Sequence, residues 1–219
     1  MVVCVAGYFG WQFWKNHQQQ QAEVAAALYD DLLEAATAAP SESLTEEKRK
    51  TARYLIDQLR TDHSTSFYTI NAAMYGAKIA VEANELDKAT ELLQWALDHS
   101  HSNEIDKLLR LRLARVMNAL MNYDQALTLS EYDGVDDFMP LFAAVRGDAH
   151  LGKDDITAAK AAYQLALINL LPSQNQQRIL LEMKIADLTI SGIEKPSAQN
   201  KSPSAEYEKS ATNIKGDSE

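Results

Sequence analysis

Along the middle of the chain, apolar residues recur every three or four positions and short polar breaks interrupt them, the pattern of amphipathic helices joined by tight turns. The stretch Arg146 to Leu167, RGDAHLGKDDITAAKAAYQLAL, holds one complete unit. Gly147 and Ala159 stand twelve positions apart on either side of a polar turn, Gly152 to Asp155, and Tyr163, Ala166 and Pro172 follow. Small residues at both positions let two antiparallel helices touch, and Tyr163 is expected to fill the gap to the next unit. Upstream, Ala114 pairs with Ala126, and Ala77 pairs with Ala89 ahead of Leu93 and Ala96. The first members of these pairs are 37 and 33 residues apart. Three units in register predict stacked helical hairpins.

The hairpins are expected at Ser66 to His99, Asn103 to Glu131 and Phe138 to Leu171. Asn103 is read as a helix cap, Asp124 as the start of a second helix, and Tyr132 to Asp137 as an acidic loop around Gly134. Ser173 to Leu188, with Ile179, Leu180, Met183, Ile185 and Leu188 apolar, predicts a capping helix. Before the repeats, Ala22 to Ala39 has helical spacing and stops at Pro40, and Ser43 with Glu46 reads as a capping box. The helix it opens runs to about Arg60 and gathers Ala52, Leu55, Ile56 and Leu59 on one side. These two helices lack the small pairs and are expected to form a degenerate first hairpin that caps the stack. Residues past Ser191 offer almost nothing to bury, which predicts a disordered tail over 191–219.

The first residues, Val2 to Trp14 (VVCVAGYFGWQFW), are uncharged and apolar all round. Thirteen residues of helix reach about 20 Å, short of the roughly 30 Å hydrocarbon core of a bilayer. A secretory signal peptide requires a basic start and a small-x-small cleavage site, and neither is present. A first helix buried in the core fits an all-round apolar stretch poorly. Trp11, Phe13, Trp14 and Lys15 have the order of an interfacial belt with a snorkelling cation, so the stretch is expected to be the second half of a membrane span. The organisation is therefore an anchor over 1–15, a linker and degenerate hairpin over 16–65, repeats with a capping helix over 66–190, and the tail. The fold class is all-α, a helical-hairpin solenoid of tetratricopeptide type behind an N-terminal apolar, partly transmembrane helix.

Composition narrows the chemistry. Eight glycines and five prolines in 219 residues leave little punctuation for a sheet, and a net charge of −10 without a Lys/Arg stripe disfavours nucleic acid. Cys4 is the only cysteine, so no intrachain disulfide forms. His99 and His101 do not share a helical face and have no accompanying ligand pattern, which argues against a metal. The pair Asp154-Asp155 is read as a helix start, the pair Asp136-Asp137 as loop acids, and Arg146-Gly147-Asp148 as helix interior. No phosphate loop and no nucleophile elbow is present, so neither catalysis nor a cofactor is expected.

Stacked hairpins leave a concave groove lined by the first helix of each pair. Counting three before, one after and four after each small residue places Met74, Lys78 and Val81; Leu111, Arg115 and Asn118; and Ala144, Asp148 and Leu151 in it. Cations, an amide and aliphatic side chains suit an extended or helical peptide.

An apolar N-terminal helix ending in Gly10, Trp11 and Trp14, an Ala/Tyr-rich helix at Ala25 to Tyr29, the segment LRLARV at Leu111 to Val116, and Arg146 to Leu167 together resemble the ancillary SecYEG translocon subunit family. The likeness covers roughly Gly7 to Ile190. The resemblance implies a single-span protein of the bacterial inner membrane with a periplasmic repeat domain. It further implies contact with the SecYEG translocon and with a periplasmic prolyl-isomerase-like chaperone, easing transfer of emerging secretory proteins. It carries over no catalytic residues. From the periodicity alone, a soluble helical-repeat scaffold that assembles a cytosolic or envelope complex stands as the alternative.

Overall fold

The computed structural model describes residues 2–37 and 44–194, and every regular element among them is an α-helix. These are α1 (Val2–Ala35), α2 (Glu46–Asp62), α3 (Phe67–Glu82), α4 (Leu86–His99), α5 (Asn103–Ala119), α6 (Tyr123–Leu129), α7 (Met139–Gly152), α8 (Ile156–Ile168) and α9 (Asn175–Glu194). Each helix packs on the next, and α1 also reaches α3 while α5 also reaches α7. All six small residues are buried: Ala77 and Ala89, Ala114 and Ala126, Gly147 and Ala159.

What stands opposite each small residue follows a size rule. Four positions after the second small residue come Leu93, Ser130 and Tyr163 in the three hairpins, all buried. Only the bulkiest of these, Tyr163, sits against a glycine. A Cβ built on Gly147 would fall inside van der Waals contact with Tyr163 Cε1 and Cδ1. Rather than only bridging to a following unit, Tyr163 thus fills the space within its own hairpin. Its hydroxyl donates to Asp148 Oδ1 at 2.6 Å, and Lys184 Nζ of α9 lies 5.1 Å from its ring centroid. Burial, and then the neighbouring Asp148 carboxylate, pushes the Tyr163 pKa up, so the phenol stays a donor.

All three hairpin turns close alike, without glycine. Asn84, Met121 and Asp154 have φ of 59°, 61° and 60°, and each lies seven positions after its small residue. The next N–H bonds back to the carbonyl five residues earlier: Glu85 to Ala80 at 2.8 Å, Asn122 to Met117 at 2.9 Å, Asp155 to His150 at 2.9 Å. This is a Schellman closure, which satisfies carbonyls at the helix end. Asn and Asp tolerate the left-handed region through local hydrogen bonding, whereas methionine has no such compensation. Met121, 73 % exposed, is therefore strained without being packed. Met121→Asn is expected to stabilise the protein by about 0.5–1 kcal/mol. A melting temperature higher by roughly 2 °C is the signal, and a lower one would refute the strain.

The α6–α7 loop is pinned by charge. Asp136 accepts from Tyr132 Oη, from Lys107 Nζ at 2.9 Å and from the Phe138 N–H at 2.9 Å. Arg110 Nη2 donates to the carbonyls of Leu129 and Glu131 at 3.1 and 2.6 Å. The Tyr132 hydroxyl first, then the Lys107 ammonium, hold the Asp136 pKa down at about 2. A depressed carboxylate stabilises the fold above its unfolded pKa of about 3.9, and that contribution is lost as pH falls through the folded value. Amide exchange over 130–138, relative to α5, is expected to rise between about pH 4 and pH 2 and to be fast already at pH 5 in Asp136→Asn. Loop protection unchanged down to pH 2 would remove this role.

At the N-terminal end the helices and their caps bear on several expectations. One helix, α1, runs from Val2 to Ala35 across the boundary expected at residue 15. Every residue from Gly10 to Val24 is exposed, and Ala25 is the first buried one. Among the described residues no helix is long and apolar enough to cross a membrane. The N-cap of α2 is Thr45, whose side chain accepts from the Lys48 N–H at 3.4 Å, in place of the Ser43 box. Ser43 and the stop at Pro40 lie outside the described residues, as does 195–219 of the expected tail. At α5 the cap residue is Ser102, with no side-chain bond.

The first hairpin is tied to the second by Arg53, which forms a two-pronged pair with Glu85 at 2.6 and 2.8 Å. Arg60 reaches Glu91 at 3.2 Å and lies 4.9 Å from the Trp95 ring centroid. At the other end, α9 buries Leu181 and Leu188 and half-buries Ile185, while Ile179, Leu180 and Met183 are exposed. The exposed side of α9 therefore mixes these apolar residues with Gln176, Gln177, Glu182 and Asp187.

Candidate polypeptide-binding groove

Between α3 and α5, with α4 behind them, an open groove of about 380 Å³ runs along one face. From α3 it takes Met74, Ala77, Lys78, Val81 and Glu82. From α4 come Leu86 and Leu93, and α5 supplies Arg112, Arg115, Val116 and Ala119. Its volume lies within the range of ligand clefts, about 300–1,000 Å³.

This groove is open, whereas the next junction along the stack is filled by side chains. Between α5 and α7, Leu111, Ala114, Phe142 and Val145 form a closed apolar cluster. Asn118 Nδ2 crosses it to the Val145 carbonyl at 3.0 Å. The first repeat period is 37 residues against 33 for the second, with α4 (Leu86–His99) twice as long as α6 (Tyr123–Leu129), although the α4–α5 connection is the shorter of the two.

Of the nine positions read from the sequence, Met74, Lys78, Val81 and Arg115 line the groove. Met74 is only 6 % exposed and forms floor. Leu111 is 2 % exposed and belongs to the α5–α7 core, so its assignment to the groove is corrected. Asn118 spends its amide on the helix junction, and Ala144 and Leu151 pack half-buried against the α7–α9 core. Asp148 is taken by the Tyr163 hydroxyl and the Lys184 ammonium. Arg112, Val116 and Ala119 of α5, Leu86 and Leu93 of α4, and Ala77 and Glu82 of α3 also line the groove, beyond the positions read from the sequence.

The electrostatics of the wall are uneven. Lys78 pairs loosely with Glu82 at 3.6 Å, both side chains being about 60 % exposed. Among the described residues Arg112 and Arg115 form neither a hydrogen bond nor an ion pair. Desolvation by the groove pushes the Arg115 pKa down, partly offset by the field of Asp148. His99 is elsewhere and structural, its Nδ1 lying 2.8 Å from the Trp95 carbonyl with the two rings stacked.

Comparison with known proteins agrees with this architecture. The family model for a tetratricopeptide repeat-like domain matches residues 1–190. The ancillary SecYEG translocon subunit of Haemophilus influenzae is 31% identical over 75% of this chain and 76% of its own. The proteins of that name from Escherichia coli and Neisseria gonorrhoeae are 27% and 26% identical, over 87% and 86% of this chain and 86% of their own in both cases. No solved structure matches the chain. With a stack of hairpins, an open groove between α3 and α5, and relatives matched over three quarters or more of both chains, this chain belongs to the ancillary SecYEG translocon subunit family.

Proposed function

We propose that this protein is a non-catalytic adaptor tethered to the bacterial inner membrane beside the SecYEG translocon, where its groove holds polypeptide in transit to periplasmic chaperones. The observation that carries the reading is the match, across three quarters or more of both chains, to relatives named as translocon subunits. Two features of the molecule support it. Tyr8, Trp11, Phe13 and Trp14 are 56–75 % exposed on the projecting part of α1, where aromatic rings suit a membrane interface. Lys15 Nζ lies 5.5 Å from the Trp11 ring, beside the aromatic belt. The groove between α3 and α5 supplies apolar contact without buried catalytic groups. In this reading the α1 start is the membrane-proximal end and the repeats lie in the periplasm. Tethering then raises local concentration, so that weak contacts with emerging chains or a prolyl-isomerase-like chaperone suffice.

Photo-crosslinking in living cells tests this. A photoreactive residue at Val81 or Lys78 is expected to label translocon subunits, secretory chains or a periplasmic chaperone, and the protein should resist carbonate extraction from membranes. Release by carbonate, with adducts only to cytosolic proteins, would favour the soluble scaffold instead.

A further inference from the structure

The groove is a local inversion of the protein's charge. The chain carries −10 overall, yet Lys78, Arg112 and Arg115 face Glu82 alone across the apolar floor. Fields of distant acids decay within a Debye length of about 8 Å at physiological salt, so a bound ligand feels the nearby cations first. Arg112 and Arg115 hold no hydrogen bond or ion pair to give up, Arg115 feeling Asp148 only through its field, and a guanidinium beside apolar surface gains most from a carboxylate it can hold with two hydrogen bonds. The floor of Met74, Val81, Leu93 and Val116 meanwhile offers no hydrogen bonds from its side chains and accepts only apolar groups. Spaced apolar anchors with acids beside them satisfy both walls.

We propose that the groove selects amphipathic polypeptide segments that carry carboxylates next to their apolar side chains, the carboxylates meeting Arg112 and Arg115. This rests on reading the groove as a polypeptide site, and it assigns the chemistry of the segment. Basic segments, including those drawn in by the overall negative charge, are rejected at this point.

Two fluorescein-labelled peptides with one leucine pattern distinguish the cases, one with glutamate and one with lysine beside each leucine, both amidated so that only side-chain carboxylates are read. Fluorescence anisotropy with the full chain is expected to show the glutamate peptide binding at least about tenfold tighter, with the preference shrinking in high salt. The Arg112→Gln/Arg115→Gln double variant should abolish the preference, and Arg112→Glu/Arg115→Glu should reverse it, with circular dichroism unchanged because both side chains lie on the surface of α5. Equal binding of the two peptides, unaltered by either variant, would overturn the charge selection while leaving the groove a polypeptide site. No binding of either peptide overturns it as well, and if Val81 also gives no crosslinks the functional reading falls with it.

Discussion

Phe142→Ala is expected to destabilise the protein by about 3–5 kcal/mol, the range for truncating a fully buried phenylalanine. Phe142 is 0 % exposed at the junction of α5 and α7, beside Leu111, Ala114 and Val145. Its ring stacks on Tyr132 at 4.8 Å between centroids and lies 5.6 Å from the Arg110 guanidinium. Truncation therefore removes apolar burial, leaves a void between two repeats and loosens the α6–α7 loop that Tyr132 and Arg110 hold. At about 2–4 °C per kcal/mol for a chain of this size, the melting temperature should fall by roughly 10 °C or more. Amide protection should weaken in α5 and α7 before α3 and α4, since repeat stacks couple mainly to their neighbours. A loss below about 1 kcal/mol would mean that α5 and α7 do not pack through this ring.

Gly147→Ala is expected to cost about 2–3 kcal/mol, although alanine is the better helix former by about 1 kcal/mol. The sign is decided by Tyr163. The added methyl would overlap two ring carbons of a side chain that is itself 0 % exposed and bonded to Asp148. Any movement of the ring strains the 2.6 Å Tyr163–Asp148 bond and disturbs Lys184 of α9. Chemical denaturation reads the loss directly. A variant as stable as the parent would show that the hairpin has slack, and that Gly147 is small for another reason.

The small pairs were legible because a close helix approach leaves a mark at fixed spacing: Ala77, Ala114 and Gly147 could be found by counting. Which side of α5 faces the groove could not. That helix buries Leu109, Leu111, Leu113, Ala114, Val116 and Met117, because it meets α4, α6 and α7 together. With apolar residues on so wide an arc, periodicity does not say which side faces a neighbour and which faces a groove. Leu111 was therefore placed in the groove and Arg112 missed, whereas the narrower choice on α3 put Lys78 and Val81 there. The left-handed turn at Met121 was equally hidden. Asn84 and Asp154 are residues that favour such turns, but methionine gives no signal, and only its offset of seven from Ala114 could have exposed it. Ser43 with Glu46 has the spacing of a capping box, yet Thr45, directly before the helix, is the residue that caps it.

Size matching between facing positions is what makes these hairpins stack, and a double-mutant cycle on Gly147→Ala and Tyr163→Leu measures it without assumptions about the rest of the molecule. Leucine stands at the corresponding sequence position in the α3–α4 hairpin, Leu93 with Ala77, so the double variant recreates that hairpin's pair in α7–α8. Denaturation of the four proteins is expected to give a coupling of at least about 1 kcal/mol, with the double variant more stable than the two single losses together allow. Losses that add to within about 0.5 kcal/mol would show that Gly147 and Tyr163 do not contact each other, and the pairing of α7 with α8 described above would have to be abandoned.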